Sequence, residues 1–149
     1  MGLPVVKHDA KKLRTHDLPP FKAAIDAGVP MVMVGHLVYR AIDPERPASL
    51  SEDAIGMLRG DLGFDGVVVT DDLAMAGATG GGTPADAAVE AVGAGADLLI
   101  VSSAPQEQAD AYDAVVEAVR SGKIPRARIE ESVERLLRVK ERYDLRGTG

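Results

Sequence analysis

The sequence contains no cysteine and no tryptophan. Disulfides, thiolate catalysis and cysteine-ligated zinc are therefore excluded. The lack of cysteine fits a reducing compartment, and Met1 to Lys12 does not have the form of a signal peptide, so a cytoplasmic location is favoured. Aromatic residues make up only 3%, so the core must be built from Ala, Val, Leu and Ile. No apolar run approaches the roughly 20 residues that span a bilayer, and no membrane span is expected. Positive charge is also short: 17 Lys plus Arg stand against 23 Asp plus Glu, for a formal charge of −6. Nucleic-acid binding needs a basic stripe to neutralise phosphates, and none is present. The three histidines, His8, His16 and His36, lie far apart without HExxH spacing, so no metal site is expected.

What is present is ordinary for a folded domain. Hydrophobic residues make up 46% and charged residues 27% of 149 residues, enough for one domain with a real core. Three short apolar runs stand out: Met31 to Val34, Val67 to Val69 and Leu98 to Val101. None alternates with polar residues and valine dominates, as in strands buried on both faces of a parallel sheet. Their centres at Met33, Val68 and Leu99 are 35 and 31 residues apart, the length of a βα unit.

Helices with recognisable ends lie between and after these runs. One starts at Pro19-Pro20 and stops at Gly28, and the next follows Ser51 as N-cap, with Leu50 and Ile55 as a hydrophobic staple, and stops at Gly60. A third has Thr83 as N-cap and Pro84 in its first turn and runs to Gly93. A fourth places Tyr112, Val115, Val116 and Val119 on one stripe and ends near Gly122. A fifth carries Ile129, Val133, Leu136 and Leu137 on one face, with its charges read as a solvated surface. The pattern is α/β with right-handed crossovers, and no repeat or linker divides it. Two loops exceed what a connection needs, His36 to Leu50 and Asp71 to Thr83. Both follow the carboxyl end of a strand, where α/β folds place their chemistry.

Asp71 directly follows the Val67 strand and stands beside Asp72. It is either a carboxylate fixed by a rigid strand, usable as a nucleophile or cation ligand, or a cap for a short turn; spacing leaves the two level. His36 occupies the corresponding place after the Met31 strand. A lone strand-end histidine is more often structural than catalytic, but a shared rim with Asp71 points to a common pocket. The Gly77 to Thr83 loop opens onto a helix and can be imagined cradling a phosphate. It lacks the GK[ST] ending of a P-loop and does not match GxGxxG after a strand, so a flexible loop or plain linker is favoured. Met75 reads as pocket wall or core, and Lys7-His8-Asp9 as solvated surface.

Several segments resemble glycoside hydrolase family 3, and within it the bacterial β-N-acetylhexosaminidase branch. They are GVPMVMVGHLVY (28–39), IDPERPASLS (42–51), LRGDLGFDGVVVTDDLAM (58–75), EAVGAGADLLIV (90–101) and ARIEESVERLLRVKERYDL (127–145). The resemblance runs from Gly2-Leu3-Pro4 to about Leu145 in matching order and spacing. It implies that Asp71 is the catalytic nucleophile, that Asp72 supports it, and that His36 and Met75 sit beside the sugar. It also implies retaining hydrolysis of terminal β-linked N-acetylglucosamine, as in peptidoglycan-type substrates, with no cofactor.

The family's barrel takes about 250 residues. Residues 1–149 therefore correspond to the C-terminal part of the catalytic domain: a partial TIM-type (β/α)8 barrel of about three βα units plus a C-terminal helix. The family's Lys-His-Phe-Pro-Gly-His-Gly segment and its Asp-Ser-His acid/base loop do not occur here, and His8 and His16 lack the context to replace the latter. The expected partners are a carbohydrate substrate and either a complementary N-terminal half-barrel or a second copy through self-association. Broader β-glucosidase-type specificity, a non-catalytic fragment completed by a partner chain, and a phosphate-binding domain are the alternatives.

Overall fold

The computed structural model describes residues 3–145. Its centre is a parallel sheet of three strands: β2 (Met31–Val34), β4 (Val67–Asp72) and β5 (Leu98–Ile100), with β4 in the middle. These are the three apolar runs of the sequence. Met31 pairs with Val67 and Val34 with Thr70, in regular register. On the other side Val69 pairs with Leu98 but Asp72 with Ile100, so β4 carries an extra residue just before its end. The buried Thr70 hydroxyl receives the Ile100 amide across this irregularity (3.2 Å). A bulge of this kind bends a strand and re-aims its side chains. A second sheet, missed by the sequence reading, pairs β1 (Val5–Val6) in parallel with β3 (Val38–Tyr39).

The helices are α1 (Ala10–Lys12), α2 (Pro19–Asp26), α3 (Glu52–Gly60), α4 (Ala76–Thr79), α5 (Pro84–Ala94), α6 (Pro105–Arg120) and α7 (Arg126–Arg142). Ser51 caps α3 through its hydroxyl (Ala54 N, 3.2 Å), and Thr83 and Asp86 form a reciprocal capping box on α5, with Pro84 in its first turn. On one side of the sheet, Val68 packs with Ile55 and Leu58 of α3 and with Ala87, Ala88 and Ala91 of α5, while Val32, Val34 and Leu99 border the same cluster. The α5 helix ends at Gly95, two residues later than the sequence indicates. Gly95 is left-handed (φ +114°), and a Cβ there would stand 3.0 Å from Ile55 Cγ2.

Two readings of the C-terminal helices need correction. Tyr112 is 70% exposed, and it is Ala111 and Ala118 of α6 that are buried. The small side chains let α6 lie close to the alanine-rich α5, which turns the tyrosine outward. On α7, Val133 and Leu137 are exposed, whereas Ser132 is buried and Arg128 and Arg135 are mostly covered. The charges of this helix are therefore only partly a solvated face. Their target is Asp97, whose side chain is fully buried just before β5.

Asp97 accepts from Arg59 (2.5 Å), Arg128 (2.6 Å), Arg135 (3.2 Å), Ser132 Oγ (2.9 Å) and the Val68 amide (2.9 Å). Its own amide donates to Val68 O (2.8 Å). Burial pushes its carboxyl up, but the hydrogen bonds from Val68, Arg128 and Ser132 and the charge of Arg59 outweigh this and hold it below the usual 3.8. Farther along α7, Arg138 meets Asp65 (3.0 Å) and Arg142 donates to Gly28 O (2.9 Å). The helix is thus fastened beneath all three strands at their amino ends.

Removing one partner of a buried ion cluster leaves the others uncompensated. Asp97→Asn should therefore lower the unfolding free energy by about 3–5 kcal/mol, read as a shift in the urea midpoint. Because the folded carboxyl titrates below 3.8, its stabilisation is complete above that value and is lost as the pH falls beneath it. The wild-type midpoint should fall steeply in that acid range, and Asp97→Asn should lack that share of the fall. Gly95→Ala should cost about 1–2 kcal/mol by the same measurement, from its left-handed backbone.

Candidate active site

The carboxyl end of β4 delivers Asp71 and Asp72 to the rim between β2 and β5. The two carboxylates have different fates. Asp72 accepts from the Ala74 amide (3.0 Å), the Ser102 amide (2.9 Å) and the Ser102 hydroxyl, which lies just past β5. The Ser102 hydroxyl, then the Ser102 and Ala74 amides, hold the Asp72 carboxyl below the ordinary carboxylate range. Among the described residues Asp71 accepts a single hydrogen bond, from the Asp72 amide (2.8 Å), and its side chain is half-buried. It is the carboxylate of the pair that remains available.

The turn after β4 is tied on both sides. The Leu73 amide donates to Ile100 O (2.8 Å) and the Leu73 side chain is fully buried. The Asp72 carbonyl accepts from the Met75 amide (3.0 Å) and stands 2.9 Å from His36 Nε2. His36, at the end of β2, is 6% exposed, and its Nδ1 lies 2.6 Å from Ser49 Oγ. The structure thus brings His36 to Asp72, as a shared rim requires, but commits both ring nitrogens to protein partners. Met75 is 48% exposed, at the N-cap of α4.

The long loop after β2 is built to carry Ser49. The Ala48 amide donates to Leu37 O (2.9 Å), and the Ser51 hydroxyl donates to Asp43 (2.8 Å), which also accepts the Glu45 and Arg46 amides. Ser49 is fully buried in a short 3₁₀ turn, Ala48–Leu50. The sequence reading overlooked Ser49 and Ser102; a serine in a loop gives no signal until the fold sets it beside a histidine or a carboxylate. Gly77 suits the close start of α4 against the histidine: a Cβ there would be 3.1 Å from both His36 Cβ and Leu3 Cδ2, so one of them would have to shift.

The glycine loop does not hold a phosphate cradle. The Gly80 and Gly82 amides are used by Ala76 O and Thr79 O, the Thr83 amide by Asp86, and that carboxylate repels an anion. His8 and His16 both meet Asp17, at 2.6 and 3.1 Å; Lys7 and Asp9 are exposed and His8 half-buried. Among the described residues no cluster of three or more His, Cys, Asp or Glu is arranged to hold a metal, and no helix is long and apolar enough to cross a membrane.

Known proteins show the same arrangement of chain. Residues 1–139 match the model of the glycosyl hydrolase family 3 N-terminal domain. The structure of a family 3 β-N-acetylglucosaminidase from Paenibacillus sp. str. FPU-7 superposes with a TM-score of 0.94 at 44% identity, over 99% of this chain and 28% of that one. A β-N-acetylhexosaminidase from Beutenbergia cavernae gives 0.82 at 35% identity, over 95% and 43%. The β-hexosaminidase of Chromobacterium violaceum is 38% identical over 84% of this chain and 33% of its own length. The chain thus spans between a quarter and a half of these relatives. It belongs to glycosyl hydrolase family 3, and its similarity is to the β-N-acetylhexosaminidases of that family.

Proposed function

We propose that Asp71 is the nucleophile of a retaining glycosidase acting on terminal β-linked N-acetylglucosamine, with peptidoglycan-type glycans as substrates. The observation that carries this reading is the division of labour at the end of β4. Asp72 is consumed by Ser102 and Ala74, whereas Asp71 faces the rim on a strand held from both sides. Asp71 Oδ would attack the anomeric carbon, forming a glycosyl ester as the glycosidic C–O bond breaks. Water would then attack the same carbon, free the carboxylate and give the sugar with retained configuration. The exposed Met75 would lie against the sugar from the turn below.

Departure of the aglycone needs a proton. The titratable groups tied to this turn, Asp72 and His36, are both committed elsewhere. The resemblance puts the acid/base on the family's Asp-Ser-His loop, which does not occur among these residues, so we assign it to other barrel units. Two features support such completion. Among the described residues β2 and β5 each pair only with β4. Met33, on the sheet face opposite Val32 and Val34, is 53% exposed, and an apolar cleft with Phe21, Leu37 and Met57 opens beside it.

The test replaces the equivalent stretch of the Paenibacillus enzyme with this chain. The chimera should hydrolyse an aryl N-acetylglucosaminide, Asp71→Asn should lose at least about 10³-fold, and Asp72→Asn only about 10–10²-fold. Full activity in Asp71→Asn would contradict the assignment. General acid assistance is worth about 10²–10⁴-fold, so any turnover by the isolated chain should appear on activated aryl glycosides before natural glycans. Efficient hydrolysis of a natural glycan by the isolated chain would place the acid within it.

A further inference from the structure

We infer that His36 is a positioning residue: its Nε2–H holds the Asp72 carbonyl, which sets the ring's tautomer, Ser49 holds the ring through Nδ1, and together they aim the turn that carries Asp71. This deepens the reading of Asp71 as nucleophile and rests on it.

The partners of the two ring nitrogens fix where the hydrogen lies. A backbone carbonyl only accepts, so the 2.9 Å approach of His36 Nε2 to Asp72 O places a hydrogen on Nε2. In the neutral ring Nδ1 is then an acceptor, and the Ser49 hydroxyl, 2.6 Å away, donates to it. His36 is 6% exposed and Ser49 fully buried, so the bond between them is shielded from water. Nothing on the ring remains to bind a sugar hydroxyl. The Asp72 carbonyl also takes the Met75 amide at 3.0 Å, so the same oxygen closes the turn and anchors it to β2.

From the opposite side Ser102 grips the Asp72 carboxylate. Asp71 therefore rides on a peptide unit strung between the ends of β2 and β5. Gly77, with only 3.1 Å between its would-be Cβ and His36 Cβ, lets the following helix close over the histidine. A displacement of about 1 Å at an attacking atom can cost about 10²-fold in rate, so the turn's anchor bears on the chemistry without touching substrate.

The test has two arms. In the chain selectively labelled with 15N-histidine, three histidines report, and a solid-state spectrum at neutral pH gives each ring's tautomer. His36 should carry its hydrogen on Nε2 and none on Nδ1. The carbonyl 13C resonance of Asp72 should move in His36→Leu and return in His36→Gln, whose amide nitrogen reaches the Nε2 position. A hydrogen on Nδ1, or an Asp72 carbonyl unmoved by His36→Leu, overturns the proposal. In the chimera, His36→Leu and Ser49→Ala should each lower kcat about tenfold or more with KM within about twofold, and His36→Gln should recover part of the loss.

A raised KM at unchanged kcat would make His36 a sugar contact and overturn the proposal. If His36→Leu fails to fold, Ser49→Ala carries both readouts: the hydrogen should stay on Nε2, the Nδ1 resonance should move as it loses its donor, and kcat should fall. An Nδ1 resonance and a kcat both unchanged in Ser49→Ala overturn the role of Ser49 in holding the ring. The spectroscopic arm needs no turnover, so it stands or falls apart from the assignment of Asp71.

Discussion

Four hydrogen bonds from two neighbouring strands converge on the turn after β4, and the site depends on them. His36 Nε2 reaches the Asp72 carbonyl from β2; Ile100 O takes the Leu73 amide, and Ser102 gives its amide and hydroxyl to the Asp72 carboxylate, from β5. Without these ties the carboxyl end of β4 would be a loop carrying two acidic residues that repel one another. With them, one carboxylate becomes scaffold and the other is left free. The extra residue between Val69 and Asp72 and the Thr70 hydroxyl that fills it bend the strand where the pair leaves the sheet.

The opposite end of the sheet is organised for stability. Asp97 gathers three arginines from two helices and clamps Val68, while Arg138 and Arg142 tie the rest of α7 to the starts of β4 and β2. A buried cluster of this kind adds little over an apolar core of equal shape, but breaking it is costly. It fixes where the C-terminal helix lies beneath the strands, and so which strand ends are free at the rim. Chemistry at the carboxyl ends and stability at the amino ends is the division expected of barrel-type folds.

Much of this was legible in the sequence. The valine-rich runs gave all three strands of the main sheet, although only β4 is buried on both faces; in β2 Met33 is exposed and β5 is half-buried. Ser51, Thr83 and Pro84 marked helix starts because capping is local chemistry. What stayed hidden was non-local. The two-residue strands β1 and β3 are too short for a pattern, and the exposure of Tyr112 is set by how closely α5 and α6 approach. The burial of Arg128 and Arg135 follows from Asp97, 31 and 38 residues away, which no helical periodicity contains. At the site, Asp71 and His36 were visible as strand-end residues. Their unequal exposure, the partnership of His36 with Ser49 and that of Asp72 with Ser102 required the fold.

The central claim is that a glycosyl–enzyme bond forms on Asp71. Fluorine at C5, beside the ring oxygen, destabilises an oxocarbenium-like transition state and slows both steps while leaving the acetamido group in place, and a very good leaving group restores the first. The chimera carrying this chain, incubated with such a fluorinated glycoside and digested, should yield one peptide heavier by one glycosyl unit, with the mass on Asp71. Label on Asp72 or on another carboxylate, or full turnover without any trapped ester, would contradict the account.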